Sequence, residues 1–278
     1  MILWLPSYPK NGNTFLRSLL SAYFFSETGS FNFDLLRNIK GFPDNGLFKK
    51  LGIDINNQNK VLENYIYVQR KINESNKKSI RFIKTHSILQ DINGSKFTDL
   101  DNTLGAIYVV RDPRNVAVSF ANHFQITIQE AINNLINFKN LSGKLNTITH
   151  IGSWSAHYNS WKVLNNYGKY LLVKYEDLIS DTEQTFLKIL NFIAKISNSK
   201  FTLDKSRLDL VIKTTSFESL KKFEQQLGFK EAGKDKNNQP IIFFKYGPQN
   251  KWKQHLNQDQ EALIIKSFLK EMTELNYI

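Results

Sequence analysis

The chain has 278 residues and no cysteine, and its 37 Lys plus Arg against 25 Asp plus Glu give a formal net charge of +12. The missing cysteines exclude disulfides, thiolate nucleophiles and Cys-ligated zinc, and 41% hydrophobic with 13% aromatic residues exclude a disordered or fibrous chain. The positive balance favours anionic partners, whether nucleic acid, acidic glycans, anionic membranes or polyanionic nucleotides, without choosing among them.

The first residues, Met1-Ile-Leu-Trp-Leu-Pro6, carry no charged n-region and are too short for a signal peptide or a membrane span. No later apolar run approaches the ~18 residues a span needs, so the expected location is the cytoplasm. Ile2 to Leu5 is a short apolar run closed by Pro6, which predicts a buried first strand. A polar loop follows, Ser7-Tyr-Pro-Lys-Asn-Gly-Asn-Thr14. From Phe15 the apolar positions Phe15, Leu16, Leu19, Leu20 and Tyr23 recur at helical spacing. Strand, compact loop, helix is the opening of an α/β phosphate-binding unit.

Further apolar strands are predicted at 81–85, 104–110 and 170–174, separated by helical patterns at 114–124, 153–164 and 182–193. The alternation predicts an α/β fold, a central parallel sheet flanked by helices on both faces. There is no internal repeat and no linker rich in Gly, Ser or Pro, so residues 1–278 read as a single domain. The Asn- and Lys-rich intervals at roughly 28–80, 125–150 and 225–245 read as insertions that shape a ligand site.

The first loop has the makings of an anion site. Backbone N–H groups at a helix start are unsatisfied, and the helix dipole adds partial positive charge there. Gly12 permits close approach of the backbone, Thr14 offers a hydroxyl and Lys10 a full charge. The plain alternative is a turn with a capped helix and a surface lysine. The loop is not a Walker A, whose lysine follows the last glycine; here Lys10 precedes Gly12. The strand at 104–110 also ends in Arg111, where an NTPase would need an Asp for Mg²⁺.

Tyr8-Pro-Lys-Asn-Gly-Asn-Thr-Phe15 resembles instead the 5′-phosphosulfate loop of the cytosolic-type sulfotransferases, Tyr-Pro-Lys-Ser-Gly-Thr-Thr-Trp, and departs from it at Asn11, Asn13 and Phe15. The resemblance implies a P-loop-like site for PAPS (3′-phosphoadenosine 5′-phosphosulfate), with Lys10, Asn11, Gly12, Asn13, Thr14 and Phe15 around its 5′ end. Five further segments, in the family's order, agree. Ile107 to Phe120 looks like the 3′-phosphate element, in which Arg111 and Ser119 hold the phosphate; an arginine fork suits that task. The alternative there is a helix capped by Asp112 before Pro113, with a solvated arginine.

Lys84-Thr-His86 resembles the family's Lys-Thr-His signature, where the histidine is the general base, and its intrinsic pKa suits proton transfer near neutrality. Lys84 is a weaker candidate for assisting. Tyr175-Glu-Asp and Thr214-Thr-Ser-Phe217-Glu-Ser-Leu220 look like the adenine-contacting segments, implying roles for Tyr175, Thr215, Ser216, Phe217 and Leu220. Phe15 and Phe217 are expected to form a stacking slot worth ~1–3 kcal/mol per face; core packing is the alternative for either ring. Phe244 to Lys253 resembles the segment that closes over the 3′-phosphate, Arg-Lys-Gly…Trp-Lys. It implies Lys245, Tyr246 and Gly247, with Lys and Tyr replacing the family's Arg and Lys.

The resemblance therefore implies transfer of a sulfuryl group from PAPS to a hydroxyl or amine, leaving PAP (3′-phosphoadenosine 5′-phosphate). His86 is expected to be the general base, Lys10 to stabilise the leaving phosphate, and no metal to be needed. The expected partner is a small-molecule or glycan acceptor, with neither nucleic acid nor membrane; a nucleic-acid module calls for a clustered basic stripe, whereas these lysines are scattered. A silent PAP- or PAPS-binding protein is the other reading, opposed by the presence of both Lys10 and His86. The Thr-Val of some relatives' terminal dimer motif is absent after Trp252, which leaves the oligomeric state open.

Overall fold

The computed structural model describes residues 1–75, 79–142, 148–200, 202–247 and 251–278. In chain order the elements are β1 (Ile2–Pro6), α1 (Asn13–Phe25), α2 (Asn45–Lys50), α3 (Gln58–Glu63), α4 (Tyr65–Glu74), β2 (Arg81–Thr85) and β3 (Thr103–Val110). They continue with α5 (Pro113–Phe124), α6 (Ile128–Ile136), β4 (Leu141–Ser142), β5 (Thr149–His150), α7 (Trp154–Lys162) and β6 (Tyr170–Lys174). The chain closes with α8 (Tyr175–Ser180), α9 (Thr182–Ser197), α10 (Lys205–Thr215), α11 (Phe217–Leu227) and α12 (Gln258–Glu274). The predicted strands and helices fall where periodicity put them, with end shifts of a few residues.

Four parallel strands form the central sheet in the order β2-β1-β3-β6. Successive side chains of a strand face opposite ways, and β1 shows the consequence. Ile2 and Trp4 join one core cluster, Leu3 and Leu5 the other. In β3, Ala106, Tyr108 and Val110 join the first and Ile107 and Val109 the second. Both faces are thus buried, which explains why these strands read as continuous apolar runs. Helices α5, α7 and α12 supply side chains to the first cluster, and α1, α9 and α10 to the second.

The interval 28–80 is more than a polar insertion. It brings Phe42, Phe48, Val61, Leu62, Tyr65 and Val68 into the first core. Most of its described Asn and Lys residues are exposed, on short helices whose apolar positions are too few to show a period. Likewise α6, within 125–150, buries Ala131, Ile132 and Leu135. Residues 76–78 and 143–147 of these intervals lie outside the described residues.

The strand order places the site. From β1 the chain passes to β2 on one side, then returns to β3 on the other, so the order reverses at β1. Parallel α/β sheets bind ligands outside the carboxyl ends of their strands at such a switch point. The loops after β1, β2 and β3 all emerge there.

Trp4 is the centre of the first core. It is fully buried, its indole Nε1 donates to Thr103 Oγ1 at 3.1 Å, and its ring lies 5.3–6.1 Å from those of Phe42, Phe97 and Trp161. Trp4→Ala is expected to cost about 3–5 kcal/mol, measured as a lowered urea midpoint at unchanged m-value.

Candidate active site

A cavity of about 360 Å³ lies at the carboxyl ends of the strands. On its wall are Lys10, Gly12, Asn13, Thr14 and Phe15 from the loop after β1, and Lys84 and His86 from the end of β2. Arg111 enters from the end of β3, Ser119 from α5, Tyr175 from α8, Phe217 and Leu220 from α11, and Tyr246 and Gly247 from the closing segment. Two cation groups far apart in sequence therefore share one hollow.

The loop is shaped by backbone geometry. Lys10 and Gly12 have positive φ, 69° and 103°, and no side chain caps α1, whose N-terminal neighbour is Gly12. Those first amides are left for a ligand. A Cβ at Gly12 would collide with Cδ2 of the Tyr175 ring, so only glycine permits this approach as well as this φ. Asn11 does not reach the cavity; it is fully buried and its Nδ2 donates to the Val109 carbonyl at 3.3 Å, which ties the loop to β3. Asn13 Nδ2 donates to the Leu5 carbonyl at 2.9 Å. Asn11 Oδ1 and Asn13 Oδ1 are buried without a partner.

Arg111 is not a solvated arginine. It is 7% exposed, its guanidinium lies 4.3 Å over the Tyr175 ring, Nη1 donates to the Lys10 carbonyl at 3.4 Å, and Nε is buried unpartnered. Asp112 does cap α5, accepting from Arg114 N at 2.9 Å. Capping and anion binding turn out to be compatible readings of one segment.

His86 is oriented by the neighbouring strand. Its Nδ1 sits 2.7 Å from the Ser7 carbonyl oxygen. A carbonyl only accepts, so Nδ1 carries the hydrogen and Nε2 keeps its lone pair. Below it, the fully buried His157 donates from Nε2 to the His86 carbonyl at 3.2 Å and accepts from the Tyr108 hydroxyl at 2.8 Å through Nδ1.

The electrostatics are lopsided. Burial, then Arg111 and Lys84, pull the Lys10 ammonium down to about 7. Burial, then Lys84, holds His86 down at about 3. Lys10 Nζ rests 3.7 Å over the Phe243 ring, a partial substitute for an anion. Cations gathered out of water with too few counter-charges mark a site for an anionic ligand.

Thr215, Ser216 and Lys245 are off the wall. Thr215 is buried and bonds the Val211 carbonyl at 2.8 Å; Ser216 caps α11. Lys245 Nζ pairs with Asn122 Oδ1 at 3.1 Å at the rim. Phe217 does line the cavity, with its ring against Gly247, where a Cβ would collide with it. Pro248, Gln249 and Asn250 of the C-terminal segment lie outside the described residues.

Other wall residues carried no readable signal: His123, Phe124, Thr149, Ile151, Glu231, Phe243 and Phe244. His123 is held down to about 4 by burial and then by Lys10 and Lys84. Only the apolar run 241–244 offered a hint, since such a run rarely lies free in solvent. Among the described residues no cluster of His, Asp or Glu could hold a metal ion, and no helix is long and apolar enough to cross a membrane.

The sulfotransferase domain family matches residues 2–276. The chain belongs to that family. Among curated relatives it is 30% identical to the amine sulfotransferase of Oryctolagus cuniculus over 63% of this chain and 56% of that one. It is 29% identical to sulfotransferase 2A1 of Mus musculus over 71% of this chain and 65% of that one. The matches thus span less than two thirds of these relatives' own length. Among solved structures, mouse sulfotransferase SULT7A1 complexed with PAP superposes with a TM-score of 0.58 at 18% identity, covering 97% of this chain and 84% of the other. Retinol dehydratase in complex with retinol and PAP superposes with a TM-score of 0.60 at 17% identity, covering 98% and 81%. These likenesses bear out the α/β fold with its central parallel sheet.

The buried histidines set a pH dependence of stability. His86 and His157 stay neutral in the folded chain down to about pH 3, whereas in the unfolded chain they protonate near pH ~6.5. The unfolded state therefore binds more protons below that pH, and stability falls as pH drops toward 3, by about 1.4 kcal/mol per pH unit for each histidine. Urea denaturation of wild type and His157→Gln at pH 7, 6 and 5 checks this; the substitution is expected to remove one histidine's share of the slope, while His86 and the similarly depressed His123 keep theirs.

Proposed function

We propose that the chain is a PAPS-dependent sulfotransferase acting on a hydroxyl or amine of a small-molecule acceptor. The observation that carries the reading is that Lys10, Gly12, Asn13 and Thr14 line one cavity with Arg111 and Ser119, unbalanced in positive charge. The residues suit a nucleotide with two anionic groups: the uncapped amides and Lys10 for one, the Arg111 guanidinium and the Ser119 hydroxyl for the other. An amine sulfotransferase among the relatives supports keeping both acceptor types.

PAPS supplies the activated sulfuryl group. Lys10 and the loop amides stabilise negative charge gathering on the leaving 5′-phosphate. His86 Nε2 takes the acceptor's proton, while Nδ1–H stays on the Ser7 carbonyl and keeps the ring aimed. A histidine held at about 3 is a weak base. The donor's anionic charge offsets Lys84 and moves it upward, although burial is the larger cause of its depression. Lys84 lines the same cavity from the same strand end, which supports an assisting role. Tyr175, Phe217 and Leu220 offer apolar surface for adenine between the two poles.

Calorimetry is expected to show PAP binding about 10- to 100-fold more tightly than AMP, as one or two charge-assisted bonds to the 3′-phosphate predict. Arg111→Ala should erase most of that preference and leave AMP affinity nearly unchanged. Equal affinity for PAP and AMP in the wild type overturns the reading.

With PAPS and a panel of alcohols, phenols and primary amines, PAP release identifies the acceptor. His86→Ala is expected to lower its turnover by about 10²–10⁴ while PAP affinity is retained; Lys10→Ala should lose most turnover as well. Wild-type kcat in His86→Ala removes the histidine from its role.

A further inference from the structure

Glu231 belongs to no recognised motif, yet its carboxylate lies on the cavity wall. It sits on the segment after α11 and reaches two partners distant in sequence. Arg17 of α1 donates from Nη1 to both carboxylate oxygens, at 2.7 and 3.0 Å. Lys84 Nζ at the end of β2 lies 3.6 Å from Oε2. Arg17 cannot follow a moving partner: its side chain is 4% exposed and its Nη2 donates to the Leu36 and Ile39 carbonyls. The segment itself is steadied twice more. Glu224 accepts from the N–H groups of Phe243 and Phe244 at 2.6 and 2.9 Å. A Cβ on Gly233 would lie 2.7 Å from the His123 carbonyl, so the segment passes close against α5.

We infer that Glu231 is a positioning residue: braced by Arg17, it holds the Lys84 ammonium at the reacting end of the cavity beside His86. The inference rests on the sulfotransferase reading above. A lysine ammonium rides on a flexible four-carbon stem and is strongly hydrated. Lys84 shares its wall with Lys10 and Arg111, and like charges drive such a group toward water. Glu231 is the carboxylate that opposes this drift. It makes no contribution to the donor's grip, because an anion on the wall weakens the binding of another anion. A different role is conceivable on geometry alone, that of a clamp on the segment after α11, and the two roles predict opposite shifts of Lys84.

The groups facing Lys84 are Glu231, Arg17 of α1, Lys10 of the first loop, His86 on its own strand end and His123 of α5. Burial pushes the Lys84 ammonium down and Glu231 draws it back up. In a full-length chain labelled with ¹³Cε lysine and assigned through Lys84→Arg, the Lys84 signal is titrated by NMR in wild type, Glu231→Gln and Glu231→Asp. Under the positioning role the Gln variant lowers the Lys84 midpoint by about one unit, since the ammonium loses its counter-charge while still buried, and the Asp variant lowers it less. A clamp alone, once lost, admits water and raises the midpoint toward that of an ordinary lysine. A rise or no change overturns the proposal, and if the Gln variant fails to fold, the Asp variant decides by the same sign. PAP affinity of the Gln variant is expected to equal or exceed that of wild type by up to ~3-fold, the sign set by removing a like charge. Failure of the wild type to bind PAP sinks the sulfotransferase reading, while the Lys84 titration still decides the place of Glu231.

Discussion

Uncompensated positive charge at the carboxyl ends of β1, β2 and β3 is the constraint from which the rest of the structure follows. Lys10, Lys84 and Arg111 converge on one cavity, and Glu231, already bound to Arg17, is the carboxylate that meets them there. Holding such charges together out of water costs free energy that only an anionic ligand or a rigid scaffold can offset. The scaffold is a parallel sheet whose strands are packed on both faces, so the loops that carry the cations cannot splay apart. The cost is visible in the free chain as an ammonium at about 7 and an imidazole at about 3. The same two groups carry the chemistry in the proposed reaction.

The part of the cavity proposed to face the donor was legible as a convergence of residues, because its demands fall on backbone and on short runs of sequence. A loop that must turn with positive φ and approach a phosphate needs Gly12, and a strand end that must grip a phosphate needs an arginine at a set distance from a helix hydroxyl. Such requirements leave fixed spacings. Asn11 shows the limit of the method: it belongs to the loop's pattern, but its amide faces the Val109 carbonyl and its place is structural. Thr215 and Ser216 are similar, since helix-end hydrogen bonds and ligand contacts call for the same residue types.

The other half was not legible, and the reason is physical. Glu231, His123 and Phe243 reach the cavity from the segment after α11 and the end of α5, where position is set by long-range packing and by no local period. Phe243 and Phe244 are held with Phe33 and Phe229 in an aromatic cluster whose ring centroids lie 4.7–6.2 Å apart. Residues 200 positions apart meet there, and no window of sequence records it. The interval 28–80 misled for a related reason. Its short helices each bury one to three side chains, too few to rise above their Asn and Lys background, although together they complete the core around Trp4.

The orientation of His86 joins the legible and illegible parts. Its imidazole is aimed by the Ser7 carbonyl, and Ser7 faces it because β1 and β2 pair in parallel with Pro6 opposite Thr85. A slip of one residue between these strands would turn every side chain of β2 to the other face. It would send Phe82 and Ile83 to the wrong cores and His86 away from the loop. The apolar alternation that buries β2 therefore also sets the tautomer and direction of the imidazole, so the proposed chemistry and the packing of the sheet are held by the same register. This explains how a histidine with no charged partner to orient it can still be fixed: the carbonyl that holds it lies one residue past the end of β1.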